Sequence, residues 1–528
     1  MKNFDLNKKT VMFIFTLIVG LIILYPTIDF YPALATGDHG RDFYAYEATM
    51  NGAVPYIDYW WVYGPFMPYV YGFFLKLFGT SMLSVLFTKA IIIFASGLFV
   101  FSSMTLVTGP VIAFLAAVWF YAFQPEFFYT FNHAGGILAA LSIFYLLTKY
   151  LLYADRKYLY FTLPAVFILS LIKVNFGIVS IALVLIVAYI NDAFKKINPS
   201  KKLLYFCFLI ALPLAVFLTY FLLLKDLPLY AVRQCLPYLD ADQPSTSTFF
   251  TSMQAFADLL KRTLSPNTPS FWIGLLTALS TGLIITKFKT IKNKGQIFLF
   301  LFASGLAFIL FLHEYIKSAY TYRAFWAVPF AIIFIFTIIH AASTTISRYL
   351  RIMIYVFVSV IIVINIYTVW SFIGKHKSSS TYLNHPKGKI FIGNEPQWKE
   401  TVLATAKYLE NNLQPGESFF ALPYDVIFYY LTGRPSPTRQ LIFFDHINIP
   451  PEQEEKIIAE LEKNKIKFVV MSNRVVSGET GLGHFGVTYC PLISKYIENN
   501  FTPVSQIGLW GVDPGWSYNY GTLIWARK

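Results

Sequence analysis

Runs of about 20 apolar residues recur along most of the chain, and no other feature restricts the fold as severely. A lipid core offers no hydrogen-bond partners, so a segment crossing it alone must close its own backbone bonds as a helix. Such runs fall near residues 11–30, 82–107, 111–128, 135–152, 158–172, 175–191, 203–224, 270–286, 296–312, 325–342 and 352–373. The sequence therefore predicts a polytopic α-helical membrane protein with about 11 transmembrane helices. The fifth and sixth runs are short enough to form a broken pair around Lys173. Composition agrees. Of 528 residues, 56% are hydrophobic, 19% aromatic and 13% charged, where a soluble domain carries roughly 25% charge.

The net charge of +14 would suit nucleic acid if the basic residues formed one patch. They sit instead in short clusters between apolar runs, which excludes nucleic acid as the expected partner and reads as topology. With the N-terminus inside, the inward segments hold Lys2, Lys8 and Lys9, then Arg156 and Lys157, then Lys195, Lys196, Lys201 and Lys202. Lys287, Lys289, Lys292 and Lys294 follow, and finally Arg348 and Arg351. Outward loops are longer and poorer in Lys and Arg, as the positive-inside tendency requires. The expected organisation is a multi-pass plasma-membrane domain over 1–373, with an outward loop at 31–80, and an extracytoplasmic domain over 374–528. In that tail, helical patterning at 400–412 and 451–464 alternates with strand-like runs at 418–422, 467–471 and 522–525, which predicts a small α/β domain.

Two details qualify this outline. Lys8, Lys9, the apolar run 11–24 and Ala33-Leu34-Ala35 resemble a secretory signal with a cleavage site. Asp29 and two prolines separate the run from Ala35, however, so the expectation is an uncleaved first span. Cys207 falls inside an apolar run as a small core residue. Cys235 and Cys490 both fall outside the membrane and leave a bridge open.

The outward segment 36–72 is too polar to span and too aromatic for an idle loop. Gly52 and Pro55 end a short helix expected to begin near Asp38, which places Asp38, Arg41 and Asp42 at i, i+3 and i+4 on one face. Tyr56, Tyr59, Trp60, Trp61 and Tyr63 suit a membrane–water interface. The residues alone favour a plain account in which Asp38 caps the helix, Arg41 pairs with Asp42 on a solvated face, and the rings form an interfacial belt.

A first span followed by Asp38-His39-Gly40-Arg41, then Pro55-Tyr56-Ile57-Asp58 and Tyr63-Gly64-Pro65, resembles the first outward loop of the GT-C membrane glycosyltransferases. These include the protein O-mannosyltransferases and the bacterial lipid A aminoarabinose transferases. A multi-span body with a final outward α/β domain resembles the same superfamily, which also requires the first helix. The resemblance implies Asp38 as catalytic base with Asp42 second, and Arg41 opposite a donor phosphate. Residues 171–177 (LIKVNFG) are similar to a family segment whose lysine, here Lys173, faces that phosphate. An intramembrane lysine usually has a partner or a function, although snorkelling to the interface is its ordinary alternative. His313-Glu314-Tyr315 through Tyr322-Arg323 resembles the late outward loop that contributes donor contacts, which adds Arg323 to the phosphate set and Tyr322 to the substrate set. Asp58 and His133 complete the expected substrate residues. His133, or Glu126, stands where some relatives carry a second acidic residue, and Gly64 stands where the aminoarabinose transferases place a lysine before a proline.

An outer membrane face has no nucleotide pool, so a sugar transferred there arrives activated on a lipid, and the resemblance supplies a polyprenyl phosphate. The expected partners are a polyprenyl-phosphate sugar donor, a glycan, lipid or protein acceptor, and membrane lipids. The departing phosphate keeps its charge and needs Arg or Lys opposite it, while the acceptor loses a proton to a carboxylate. One base without a protein nucleophile implies inverting displacement. No cofactor or metal is expected, since no His/Asp/Glu cluster has ligand spacing and the glycine-rich stretch 478–486 lacks a strand–GxGxxG–helix context. The competing reading is a secondary transporter or flippase for a lipid-linked or small-molecule substrate, whose usual repeats and midplane polar groups are not evident here.

Overall fold

The computed structural model of the chain describes residues 2–123, 131–194, 206–235, 265–266, 268–287, 294–318, 320–476, 482–511 and 519–528, with a few isolated positions between 204 and 291. Glu126 and residues 478–481 of the glycine-rich stretch lie outside the described residues. The chain opens with α1 (Lys2–Leu24), α2 (Asp38–Met50), α3 (Phe66–Phe78), α4 (Met82–Val107), α5 (Pro110–Phe123), α6 (Phe131–Tyr153), α7 (Lys157–Ile172) and α8 (Val174–Phe194). Apolar helices follow at Leu212–Leu224, Pro269–Thr286, Lys294–Phe311, Val328–Ser343 and Arg348–His376.

Every apolar run of the sequence thus coincides with a helix, but the helices differ in reach. Among the described residues, 8 are long and apolar enough to cross a membrane. Among the described residues, the helices Pro110–Phe123, Lys157–Ile172 and Val328–Ser343 have 14, 16 and 16 residues. At a 1.5 Å rise these extend roughly 21–24 Å, short of a hydrocarbon core of roughly 30 Å. A sequence break sets one end of each. Gly109-Pro110 separates α5 from α4, extended backbone at Lys173 stops α7, and Pro329 opens the helix Val328–Ser343.

The chain forms two compact units. The first comprises Met1–Thr27, Lys89–Thr219 and Pro244–Phe372. In it α1 packs on α5, α7 on α6 and α8, and the helix Lys294–Phe311 on Val328–Ser343. Phe144, Phe300, Phe311 and Phe330 interlock in its interior. Met353, Val356, Val360 and Val363 stay exposed on the helix Arg348–His376, a continuous apolar stripe of the kind that lipid covers.

The second unit comprises Ile28–Thr88, Tyr220–Gln243 and Ile373–Lys528, so it joins the segment between α1 and α4 to the tail. Strands β1 (Phe30–Tyr31), β2 (Tyr382–Leu383) and β3 (Ile390–Ile392) form a sheet in the order β1-β3-β2, with β1 parallel to β3. Asn394 extends that pairing. Its side chain accepts from Leu34 N–H at 2.7 Å and donates to Leu34 carbonyl oxygen at 2.8 Å. A second sheet, β4 (Phe419–Leu422), β5 (Phe468–Ser472), β6 (Phe501–Gly508) and β7 (Gly521–Arg527), runs in the order β4-β5-β7-β6 with β4 parallel to β5. Cys490 is a buried free thiol here.

Helix α2 is held against the short helix Ile427–Thr432, whose Ile427 N–H donates to Thr36 carbonyl oxygen at 3.1 Å. The close approach runs through Gly40, where an added Cβ would lie 2.4 Å from the Ile427 backbone nitrogen. Backbone cannot swing aside as a flexible side chain can. Gly40→Ala should therefore destabilise the protein by about 1–3 kcal/mol. Gly274→Ala, whose added Cβ meets nothing within 4 Å, should leave stability unchanged or raise it slightly. Thermal unfolding of the two variants beside wild type measures the difference.

Candidate functional site

Helix α2 starts at Asp38 with Gly37 as its N-cap, and no side chain caps it. The capping role expected for Asp38 on local grounds is therefore absent. Its carboxylate turns along the helix toward Arg41, with Nη1 3.4 Å from Asp38 Oδ1. Asp42 Oδ1 accepts from Arg41 Nε at 3.0 Å and from Nη2 at 2.7 Å. The face is not solvated. The side chains of Arg41 and Asp42 are 2% and 0% exposed, whereas Asp38 retains 34%. Of the two acids, only Asp38 is open to solvent.

A residue that the sequence did not single out completes the cluster. The Tyr424 hydroxyl accepts from Arg41 Nη1 at 3.0 Å and donates to Asp38 Oδ1 at 3.1 Å. Burial pushes Asp38 toward neutrality, but Arg41, the Tyr424 hydrogen bond and Arg474 outweigh it and hold the carboxyl below its ordinary value of 3.8. Burial raises the Tyr424 phenol well above its usual range, so it remains a proton donor. Beside them, His39 Nδ1 accepts from Ala35 N–H at 2.8 Å, which leaves the ring proton on Nε2, 2.7 Å from the Tyr31 hydroxyl.

Aromatic rings cover the guanidinium. Arg41 Cζ lies 5.9, 5.3 and 5.0 Å from the ring centroids of Trp60, Trp61 and Tyr63, inside cation–π range. This corrects the expectation of an interfacial belt: Tyr56, Tyr59, Trp60 and Trp61 are all buried within the unit. Their turn is tightly fastened. Tyr56 adopts φ 72°, its hydroxyl donates to Tyr63 carbonyl oxygen at 2.5 Å, and Arg439 Nε donates to Tyr56 carbonyl oxygen at 2.6 Å. Asp58 is exposed and accepts from Val54 N–H at 2.7 Å, so it closes the turn and stands apart from the Arg41 cluster.

The remaining expected residues belong to the first unit. Lys173 does not snorkel. Its Nζ lies 2.5 Å from Glu314 Oε1, with side-chain exposures of 9% and 3%. Asn175 Nδ2 donates to Glu314 Oε1 at 2.9 Å and lies 2.7 Å from His313 Nε2. Arg323 is partly exposed, 5.4 Å from the Tyr320 ring and 5.9 Å from the Tyr322 ring. His133 is buried against Phe325 and Trp326. Glu314 had a visible signal, an acid in the late loop, yet nothing in the sequence paired it with Lys173. Among the described residues, no three His, Cys, Asp or Glu side chains gather as a metal site.

No protein family matches the sequence, and none of the curated proteins does. The fold does match solved structures. ArnT from Cupriavidus metallidurans in the apo state gives a TM-score of 0.55 at 12% identity, covering 98% of this chain and 97% of that one. The same protein bound to undecaprenyl phosphate gives 0.53. The archaeal oligosaccharyltransferase AglB from Archaeoglobus fulgidus, in complex with an inhibitory peptide and a dolichol-phosphate, gives 0.50 at 12% identity over 94% of this chain and 73% of that one. The chain has the fold of the GT-C membrane glycosyltransferases.

Removing one partner of a buried ion pair strands the other charge, whereas exposed pairs contribute little. Asp42→Ala should cost about 3–5 kcal/mol. Lys467→Ala, which breaks the solvent-accessible Lys467–Glu417 pair at 3.1 Å, should leave stability almost unchanged. Because Asp38 is held below 3.8, its share of stability is complete above that value and is lost as pH falls through the depressed one. Unfolding of wild type and Asp38→Asn across an acid series reads this as a difference that closes toward low pH.

Proposed function

We propose that the chain is a glycosyltransferase that moves a sugar from a polyprenyl-phosphate-linked donor to a glycan, lipid or protein acceptor at the outer face of the plasma membrane. The observation that carries this reading is the Asp38 carboxylate, kept ionised by Arg41 and Tyr424 yet one-third exposed, in a chain with the GT-C fold. That ArnT has been solved with undecaprenyl phosphate and AglB with a dolichol-phosphate supports a polyprenyl phosphate as the donor carrier. The distribution of Lys and Arg supports eleven crossings, the three shorter helices included, with residues 374–528 outside.

In the proposed reaction, the acceptor oxygen bonds to the anomeric carbon while the bond to phosphate breaks. Asp38 takes the acceptor proton, the phosphate leaves with the bonding electron pair, and configuration inverts. Arg41 takes a different role from the phosphate ligand expected of it. Its Nε, Nη1 and Nη2 all donate within the cluster, so it positions Asp38, with Asp42 as its anchor. Lys173 and Arg323 remain the candidates to face the donor phosphate, with Tyr322 and His133 as substrate contacts.

Asp38→Asn removes the base but keeps the shape of the side chain. Turnover, followed as release of undecaprenyl phosphate from a set of undecaprenyl-phosphate sugars, should fall by roughly 10²–10⁴-fold. Lipid binding should persist. Asp58→Asn should change turnover by no more than a few-fold. Normal turnover in purified Asp38→Asn would sink the assignment. The acid limb of wild-type kcat/KM should have its midpoint below the ordinary carboxyl value of 3.8, because kcat/KM follows the ionisation of Asp38 in the free enzyme.

A further inference from the structure

We propose that the first unit holds a binding site for a sugar ring beside the Lys173–Glu314 pair, with Asn132, Asn175 and Trp326 as its specificity-determining residues. This rests on the transferase reading only for the source of the sugar, a lipid-linked donor.

Three hydrogen-bonding atoms here are buried without a partner among the described residues: Asn132 Oδ1, Asn175 Oδ1 and Trp326 Nε1. Buried polar atoms are nearly always paired, so several around one ion pair call for an explanation. Their contacts tie them together. Asn132 Nδ2 donates to Ile172 carbonyl oxygen at 3.4 Å, next to Lys173. Asn175 shares Glu314 Oε1 with Lys173. Trp326 stacks on Phe176 with ring centroids 3.8 Å apart, and Lys173 Nζ lies 5.4 Å from the same Phe176 ring. All belong to helix ends: the first turns of α6 and α8, and the segment leading into Val328–Ser343.

The polarity of these atoms selects the ligand. Each asparagine amide is oriented by an acceptor facing its Nδ2, a carbonyl for Asn132 and a carboxylate for Asn175, so each Oδ1 is an acceptor by necessity. Two amide oxygens need donors, and an ionised phosphate has none to offer. The Trp326 N–H needs an acceptor. Sugar hydroxyls both donate and accept, and a ring carrying several of them serves all three atoms. His313 cannot compete, because its Nε2 already accepts from Asn175 and its Nδ1 donates to Leu310 carbonyl oxygen at 2.8 Å. A phosphate next to the ring would meet Lys173, but the asparagines and Trp326 would read the sugar.

The test compares the affinity of the purified full-length protein for undecaprenyl phosphate with that for undecaprenyl phosphate carrying one glucose, galactose, mannose or arabinose. Wild type should prefer at least one glycosylated lipid by tenfold or more. Asn132→Leu and Trp326→Phe should each reduce that preference three- to tenfold while leaving affinity for the bare lipid unchanged. Trp326→Phe keeps a ring on Phe176, so it decides the matter if Asn132→Leu does not fold. No preference in wild type, an undiminished preference in Trp326→Phe, or equal loss for bare and glycosylated lipid overturns the proposal and leaves these atoms to internal water. The transferase reading fails separately, if the preferred lipid binds but no acceptor ever releases undecaprenyl phosphate from it.

Discussion

The Arg41 guanidinium is enclosed between two carboxylates and a phenol at 2% exposure, and its charge dictates what may surround it. Removing such an ion from water costs several kcal/mol unless close opposite charge and well-formed hydrogen bonds offset it. Asp42 provides that compensation from the next position in the chain, through two bonds to one carboxylate oxygen. Three aromatic faces complete the enclosure, keeping water out without adding charge. With Arg41 and Asp42 neutralising each other, Asp38 is surplus negative charge. It stays ionised because Arg41 lies beside it, Tyr424 donates to it and part of its side chain keeps contact with water.

That requirement reaches far along the chain. Tyr424 must come to the first turn of α2, and the approach leaves no room for a Cβ at Gly37, which would meet the Tyr424 ring at 2.2 Å. Gly40 plays the same part against Ile427. The two glycines of the TGDHGRD stretch are thus explained by a segment nearly four hundred residues later. Pairing of β1 with β3 and the Asn394 clamp on Leu34 hold the two ends of this unit in register.

What the sequence revealed and what it concealed divides along the same line. Hydrophobic runs and clusters of Lys and Arg are local signals, and every apolar run became a helix. The limits of α2 were legible as well, because Gly52, at φ +98°, is a stop written in one residue. Long-range partners leave no such mark. Tyr424 lies 386 positions from Asp38 in a tail without motifs, and Lys173 gave no hint that Glu314 would be its counter-ion. The aromatic turn shows a subtler failure. Tyr and Trp serve an interface or a core equally well, and only the buried cation beneath Trp60, Trp61 and Tyr63 decides between them. Burial likewise divided Asp38 from Asp42, two acids on one helix face that spacing alone could not rank.

The depressed acidity of Asp38 constrains the order of events in the proposed transfer. A carboxylate held below 3.8 is a poor base toward a free hydroxyl, so it cannot strip the acceptor before bond formation begins. It can accept a hydrogen bond from the hydroxyl and take the proton once the oxygen has begun to carry positive charge, which happens as the new glycosidic bond forms. For that to work, the anomeric carbon must already be electron-poor, and departure of the phosphate makes it so. The cluster that keeps Asp38 ionised therefore shifts the burden of activation onto the leaving group. A lipid-phosphate donor, with its phosphate neutralised by cationic side chains, is the kind of substrate that can carry it.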